Sequence, residues 1–373
     1  MKIGIDARML GPKQGGLGRY IQQLVAHLEK IDNKNEYFIF LRRDNWEEYQ
    51  PTNQNFKKVL ADIGWYGWKE QFIFPGIIKK QQLDLMHFPH WNVPIFYNDN
   101  FVVTIHDLLL LHFPTHRAST LGPMSYWLKN KLFRLTLSHA VNKAKKIITI
   151  SEFTKQDIEQ TLHIKKEKIT TTYLSPFSQK LDSEPPFSVY QKYEINKPYW
   201  LYVGVAYPHK NLEKLVDAWE IFCQQHGHTY HLVLSGKKNY FYNQLEKYIE
   251  NKKIKDIILT DFVPDDELPE LYRNASLYVF PSLYEGFGLP PLEAMQYDLP
   301  VIASNRTCLP EILEEAAVYF NPDDPHAITT AANLVIKDRD TRAKLIDQGQ
   351  KILQKYSWLR TAEQTLEIYE SAK

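Results

Sequence analysis

The sequence contains little cysteine, almost no net charge and no long apolar run. Its two cysteines, Cys223 and Cys308, form no disulfide framework and lack metal-ligand spacing, so we expect buried thiols in a reducing compartment. The 45 basic and 44 acidic residues nearly cancel, which argues against a general nucleic-acid binder. No stretch reaches about 18 apolar residues, and the start enters a strand directly without resembling a signal peptide. These absences favour a cytoplasmic protein with no membrane-spanning helix.

Strands and helices are predicted to alternate along the 373 residues in two series, which favours two domains. The first series covers residues 1–178 and begins with the strand Lys2–Asp6. A polar, proline-bearing linker is predicted over 179–198, and the second series covers 199–357. This alternation predicts an α/β protein with parallel sheets and right-handed crossovers.

The most informative stretch is a glycine-rich turn between the predicted strand Ser276–Phe280 and a helix. Glycines within Glu285-Gly-Phe-Gly288 let the backbone approach a ligand, and the N–H groups of a helix start suit a phosphate. A turn of this kind is common and by itself indicates little. However, Glu285 and Glu293 flank it, and carboxylates do not help to bind phosphate. We therefore expect the two carboxylates to bind sugar or ribose hydroxyl groups.

The pattern Glu285-Gly-Phe-Gly-Leu-Pro-Pro-Leu-Glu293 resembles the Glu-x7-Glu signature of the retaining family 4 glycosyltransferases. Segments around Gly15-Gly16, His106 and Lys210 also resemble motifs of that family, so the resemblance covers nearly the whole chain. It implies the GT-B fold, in which two Rossmann-like domains face each other across a deep cleft. It also implies that a final helix, 358–373, packs back on the first domain.

The same resemblance implies roles for individual residues. Glu285 would hold the hydroxyl groups of the donor sugar, His106 would line that sugar, and both would be catalytic. Lys210 would neutralise the diphosphate leaving group, and Glu293 would bind the ribose. The departing phosphate would itself take the acceptor proton. No cofactor is expected besides the nucleotide-sugar donor. The other residues expected to bind the donor are Gly15, Gly16, Gly204, His209, Gly286, Phe287, Gly288 and Leu289.

The second phosphate motif departs from the family pattern at two positions. Many members carry arginine just after the glycine or just before the lysine, where this chain has Val205 and His209. Either His209 supplies a second donor, with a possible pH dependence, or the positive charge comes from elsewhere. A weaker donor site or a different donor is also an open alternative.

Metal dependence is not expected. No Asp-x-Asp lies at a predicted strand end in the manner of a cation-dependent sugar-nucleotide site. The pairs Asp265-Asp266 and Asp323-Asp324 lie in proline-flanked loops, where turns or helix caps explain them. We therefore expect Lys210, loop amides and helix starts to meet the leaving-group charge.

Two further features suggest partners of the chain. His87, His90 and Trp91 lie beside a predicted strand end and are expected to contact the acceptor. The segment 123–146 mixes apolar and basic residues, which predicts either a core helix with a solvated lysine face or a basic amphipathic helix. The second alternative places the protein at the inner membrane surface, where related enzymes meet lipid-linked acceptors.

These observations predict a cytoplasmic, metal-independent retaining glycosyltransferase. It would move a hexose, such as mannose from GDP-mannose, from a nucleotide sugar to a glycan or lipid-linked acceptor. One alternative is another GT-B enzyme, such as a sugar-nucleotide epimerase or a phosphorylase. The other is a non-catalytic two-domain sugar-binding protein, which would require neither the paired glutamates nor the phosphate loop.

Overall fold

A computed structural model of the chain describes residues 1–114, 123–177 and 189–373. The chain divides into two compact units, one formed by 1–174 with 357–373 and the other by 175–356. The boundary therefore falls after Leu174 and not at residue 178. Residues 179–188 of the predicted linker lie outside the described residues. Residues 189–198 are part of the second unit, because Val189 and Ile195 are buried there.

The first unit contains a seven-stranded parallel sheet with the order β3-β2-β1-β4-β5-β6-β7. Its strands are β1 (Lys2–Asp6), β2 (Glu36–Leu41), β3 (Phe56–Leu60), β4 (Leu85–Phe88), β5 (Phe101–Ile105), β6 (Lys146–Thr149) and β7 (Ile169–Thr171). The helices along this part of the chain are α1 (Gly15–Ile31), α2 (Trp68–Phe72), α3 (Phe74–Lys79), α4 (Leu109–His112), α5 (Pro123–Lys143) and α6 (Glu152–Leu162). Every residue of β4 and β5 is buried, as expected for strands covered by helices on both faces.

The second unit repeats this design with six parallel strands in the order β10-β9-β8-β11-β12-β13. Its strands are β8 (Tyr199–Val203), β9 (His231–Ser235), β10 (Ile257–Asp261), β11 (Leu277–Phe280), β12 (Val301–Ser304) and β13 (Ala317–Phe320). Its helices are α7 (Val189–Lys192), α8 (Leu212–His226), α9 (Tyr240–Lys252), α10 (Leu268–Asn274), α11 (Leu289–Met295), α12 (Leu309–Leu313), α13 (Pro325–Lys337) and α14 (Arg339–Leu353). In both sheets the strand order reverses beside the first strand, which is where open α/β sheets bind ligands.

The last helix, α15 (Trp358–Ser371), returns to the first unit and packs on α1. The ring of Trp358 lies 6.2 Å from the ring of Tyr20. The hydroxyl of Thr361 donates to the carbonyl oxygen of Tyr173. These contacts attach a segment that is distant in sequence to the face of the first unit formed by α1.

His87 is fully buried in β4 and forms part of this attachment. Its Nδ1 lies 2.6 Å from the Tyr369 hydroxyl of α15, and its Nε2 lies 2.8 Å from Thr104 Oγ1. Burial lowers the pKa of His87 to about 3, so its ring is uncharged at neutral pH. Both ring nitrogens are engaged and neither reaches solvent. The prediction that His87 contacts the acceptor is therefore wrong, and we assign it a structural role.

Helix α5 differs from the amphipathic helix considered for 123–146. Its apolar side chains are distributed around the helix and not confined to one face. Near its carboxyl end, Leu137 and Val141 are buried. Its earlier turns expose large apolar side chains, namely Trp127, Leu128, Leu132 and Leu135. The apolar side chains are therefore not gathered on one face, and contact of this helix with a membrane stays a prediction. No helix among the described residues has the length and apolar character needed to cross a bilayer.

Candidate active site

Two loops of the second unit begin side by side at the reversal of its strand order. Strands β8 and β11 are parallel neighbours, so their carboxyl ends lie at the same edge of the sheet. The first loop contains Gly204 and ends in a short helical turn, Pro208–Lys210. The second loop contains Glu285 and leads into α11. The topology thus brings together residues that are far apart in the sequence.

A lysine and a glutamate meet between these loops. Lys210 Nζ lies 2.6 Å from Glu285 Oε1, and the two side chains are 16% and 13% exposed. The lysine ammonium also lies 5.6 Å from the centroid of the Phe280 ring. A cation and a carboxylate are therefore held at one accessible place. The lysine can exchange the carboxylate for an anionic ligand group, and the glutamate can exchange the ammonium for a ligand group that donates hydrogen bonds.

The backbone around Glu285 is held by residues that the sequence analysis did not identify. The Glu285 N–H donates to Thr307 Oγ1 at 3.2 Å, and Cys308 Sγ donates to the Glu285 carbonyl oxygen at 3.2 Å. Burial raises the pKa of Cys308 well above its ordinary value, which keeps the thiol protonated and able to donate. An isolated threonine and cysteine after β12 form no recognisable motif, so no sequence signal identifies them.

The start of α11 requires its glycine. Gly288 precedes the helix with φ of 92°, in the left-handed region that glycine adopts without strain. A Cβ at this position would lie 2.7 Å from Leu309 Cδ2. The two prolines of the helix occupy its first turn, where their missing N–H groups cost nothing. The adjacent Phe287 is buried, and its ring packs edge-on against Tyr356 at 5.5 Å. Leu289, the first helical residue, is thereby placed next to a rigid turn.

The remaining predicted donor-binding groups of the second unit lie on the same elements. Gly286 is in the loop after β11, and Glu293 is half-buried in α11. The hydroxyl of Tyr272 donates to Glu293 Oε2 at 3.4 Å. Because Glu293 is a helix residue and Glu285 a loop residue, the two carboxylates are held by different elements.

His209 does not supply the missing positive charge. Its side chain is buried, and burial, followed by the neighbouring Lys210 ammonium, lowers its pKa to about 4. The ring is therefore uncharged at neutral pH, so it adds no positive charge here, and its role as a second hydrogen-bond donor stays a prediction. Another cation of this unit, Arg306 after β12, pairs with Asp323 at 2.8 Å.

In the first unit, the predicted glycines begin α1 and do not form a separate loop. Gly15 has φ of 62° and Gly16 follows it in the first helical turn. Both are exposed, and a Cβ at either position would meet no atom within 4 Å. Packing therefore does not explain the absence of side chains here. The left-handed φ explains the glycine at position 15, whereas close approach of a ligand to the backbone would explain the one at position 16.

The carboxyl ends of β4 and β5 gather three further predicted residues. His106 is half-buried after β5; its Nε2 lies 2.9 Å from the carbonyl oxygen of Pro89, and burial lowers its pKa to about 4. His90 and Trp91 follow β4, are also half-buried, and have ring centroids 4.7 Å apart. Burial lowers the pKa of His90 to about 3. These residues form an uncharged aromatic surface at the carboxyl edge of the sheet.

Comparison with known proteins identifies the family. Residues 14–174 match the model of Glycosyltransferase Family 4, and residues 190–352 match that of Glycosyl transferases group 1. The O-antigen chain mannosyltransferase B of Escherichia coli is 30% identical over 272 residues, which cover 72% of this chain and 69% of that protein. The chain belongs to the group 1 glycosyltransferases. The predicted family and the prediction of an enzyme are confirmed.

Solved structures show the same fold for this glycosyltransferase. A sucrose-phosphate synthase from Thermosynechococcus elongatus matches with a TM-score of 0.76 at 18% identity, covering 100% of this chain and 98% of that chain. Anabaena Alr3699/HepE in complex with UDP-glucose matches with a TM-score of 0.74 at 16% identity, covering 99% of each chain. The predicted GT-B fold, with two sheets of parallel strands, is confirmed.

The candidate active site of the glycosyltransferase consists of polar groups and backbone amides. Within the ranges that the structure describes, no group of three or more His, Cys, Asp or Glu residues is arranged to hold a metal ion. The structure brings Lys210, Glu285 and Glu293 together with the glycine-rich turn in the second unit. Gly15, Gly16, His90, Trp91 and His106 belong to the first unit, where they lie at the carboxyl edge of its sheet or in the first turn of α1.

Proposed function

We propose that this glycosyltransferase moves a mannosyl residue from a nucleotide sugar to a growing saccharide, with retention of anomeric configuration. The observation that carries the proposal is the Lys210–Glu285 pair at the strand reversal of the second sheet. The identity to an Escherichia coli O-antigen chain mannosyltransferase supports mannose as the sugar and a polysaccharide as the acceptor. On this basis GDP-mannose is the donor to test first.

Lys210 and Glu285 have opposite tasks in this proposal. The Lys210 ammonium exchanges its carboxylate partner for the donor diphosphate, whose charge grows as the leaving group departs. Glu285, released from the lysine, accepts hydrogen bonds from the hydroxyl groups of the donor sugar. Glu293 binds the ribose hydroxyls, and the N–H groups of the turn from Phe287 to Leu289 face phosphate or sugar. The ion pair thus keeps both groups in place before the donor arrives.

The transfer step proceeds on one face of the sugar. The bond between the anomeric carbon and the phosphate oxygen breaks, and its electron pair leaves with the diphosphate. The acceptor hydroxyl oxygen bonds to the same face of the anomeric carbon, and its proton passes to the departing phosphate oxygen. At the carboxyl edge of the first sheet, His106 is an uncharged imidazole, because burial lowers its pKa to about 4. The positive charge needed by the leaving group comes from Lys210 and not from a metal ion.

A thermal-stability screen against sugar nucleotides tests the donor assignment. We expect GDP-mannose to raise the Tm of unfolding, and we expect EDTA to leave this rise unchanged. A ligand at about 100 times its Kd adds roughly 2.7 kcal/mol to the stability of the folded state, which such a screen detects. UDP-glucose and free phosphate serve as comparison ligands, and Lys210→Met serves as the variant that loses the effect.

Two outcomes of the screen, and one of a separate product assay, would contradict the proposal. Stabilisation by UDP-glucose alone would change the donor, and stabilisation that EDTA abolishes would replace lysine with a metal ion as the source of charge. Formation of an epimerised nucleotide, or reaction with free phosphate, would favour one of the other GT-B activities.

We also propose that α5 contacts an anionic membrane surface. Its exposed Trp127, Leu128 and Leu132 lie among Lys129, Lys131 and Arg134, which are exposed as well. Apolar side chains can enter the headgroup region while the cations meet anionic lipids. We expect co-sedimentation with vesicles that contain anionic phosphatidylglycerol and a strong reduction for Trp127→Ser/Leu128→Ser. Equal sedimentation of this variant and the original protein would contradict the proposal.

A further inference from the structure

Helix α2 has the reverse of the usual distribution of side chains. Its one buried residue is Glu70, whereas Trp68 and Phe72 are 65% and 64% exposed. A surface helix normally buries its apolar side chains and exposes its carboxylates. Hydrophobic burial therefore does not hold this helix on the first unit. Another interaction must therefore hold α2 on the first unit, and the exposure of Trp68 and Phe72 needs an explanation.

A buried polar cluster provides the attachment. Glu70 Oε1 accepts from Arg8 at 2.7 Å, and the two side chains are 0% and 1% exposed. Glu70 Oε2 accepts from Asn92 Nδ2 at 2.8 Å and from the Tyr66 N–H at 2.7 Å. Arg8 also pairs with Asp6 at the end of β1. Removing such charges from water is costly, so the pair is poorly explained by stability alone. It holds α2 in one orientation relative to the carboxyl ends of β1 and β4.

The exposed rings continue those of His90 and Trp91. The Phe72 ring stacks on the Phe96 ring at 4.8 Å, and Gln71 Oε1 accepts from the Ile95 N–H at 2.8 Å. The Tyr66 ring lies 5.6 Å from the Trp91 ring and 6.5 Å from the His90 ring. We define the aromatic platform as Tyr66, Trp68, Phe72, Trp91 and Phe96. Its residues lie on the connections that follow β3 and β4, with Trp68 and Phe72 on α2.

The polar groups beside the aromatic platform suit a neutral ligand rich in hydroxyl groups. The ring beside Trp91 is that of His90, which is uncharged because burial lowers its pKa to about 3. The charges of Arg8, Asp6 and Glu70, which hold α2, are paired with one another. Aromatic rings bury the apolar C–H face of a sugar ring. Large exposed apolar clusters are rare on soluble proteins and commonly mark binding surfaces.

We propose that the aromatic platform binds the acceptor saccharide, at sugars beyond the one that receives the transferred residue. Arg8, Glu70 and Asn92 are positioning residues that hold the platform in its orientation. The proposal rests on the proposed function and adds to it the residues that recognise an extended, neutral acceptor chain. In this proposal the exposed rings of α2 are required for binding the acceptor saccharide.

The test compares Trp68→Ala/Phe72→Ala with Phe262→Ala, a control that removes a similarly exposed ring from the second unit. We expect the double variant to raise the KM for a lipid-free oligosaccharide acceptor about tenfold or more, with the KM for the donor unchanged. The control should match the original protein. An unchanged acceptor KM in the double variant would overturn the inference.

A second variant tests the positioning residues. Asn92→Ser shortens one partner of Glu70 without leaving the Arg8 charge unpaired. We expect a rise in acceptor KM with little change in kcat and with an unchanged circular dichroism spectrum. A purely structural role would instead lower the Tm without separating KM from kcat.

A binding measurement separates this inference from the proposed function. Ligand-observed NMR with a neutral mannooligosaccharide requires neither donor nor transfer, and we expect the double variant to abolish the saccharide line broadening. If the original protein transfers no mannose but binds the oligosaccharide through these rings, only the proposed function fails. If the double variant loses vesicle binding and retains oligosaccharide binding, the platform is a membrane surface and the inference is overturned.

Discussion

Replacement of Glu285 by glutamine is expected to lower kcat by about 10²–10³ while the protein stays folded. Glutamine keeps the size of the side chain and an oxygen that accepts from Lys210, which lies 2.6 Å away in the structure. It removes the negative charge that is proposed to stabilise the oxocarbenium-like state of the donor sugar. Steady-state transfer with GDP-mannose measures the effect, and a thermal melt establishes that the fold is retained.

The matched control for Glu285→Gln is Glu246→Gln. Glu246 also pairs with a lysine of the second unit, Lys238 at 3.0 Å, but this pair is solvent-exposed. We expect the control to keep the original kcat, because an exposed ion pair contributes little and Glu246 lies on α9, outside the loops after β8 and β11. Original activity in Glu285→Gln, or equal losses in both variants, would exclude a catalytic role for Glu285.

Lys210→Met is expected to lower kcat/KM for the donor by about 10²–10³, because it removes the cation that faces the leaving group. Methionine fills a similar volume and retains contact with the neighbouring Phe280 ring, so a packing defect is not the expected cause. Burial, the main cause of the lowered pKa of His209, remains in this variant and opposes protonation of that ring. Steady-state kinetics measure the loss, and a nucleoside diphosphate should no longer raise the Tm of the variant.

Lys238→Met is the corresponding control, since it removes an exposed lysine of the same unit. It should keep donor binding and transfer. If Lys210→Met retained both the kinetics and the rise in Tm, the leaving-group charge would have to be met elsewhere. Addition of Mg²⁺ to each variant then shows whether a metal ion contributes.

The secondary structure was largely predictable because the central strands are covered on both faces. Such strands form continuous apolar runs: the predicted Lys2–Asp6 coincides with β1, and the predicted Ser276–Phe280 contains β11. Strand β3 was not predicted, because it lies at the edge of its sheet and contains Lys57 and Lys58. Its half-polar sequence does not differ from that of a loop.

The histidines were the least predictable part of the candidate site. His87, His90, His106 and His209 all occur near strand ends, and the sequence gives no measure of their burial. In the structure His87 is fully enclosed and paired with Tyr369, a residue of the last helix. Burial lowers the pKa of each ring, so none of them supplies a cation at neutral pH. The local sequence around a histidine does not encode these distant neighbours.

The sequence by itself determined the fold class, the family and the candidate residues, because strand periodicity, glycine turns and the Glu-x7-Glu pattern are local features. Only the tertiary structure decided which groups meet. It pairs Lys210 with Glu285 across neighbouring strands, and it buries Glu70 against Arg8 so that the rings of α2 face solvent. The physical reason is that burial and ion pairing depend on contacts between segments far apart in the chain. The residue spacing within one segment does not reveal those contacts.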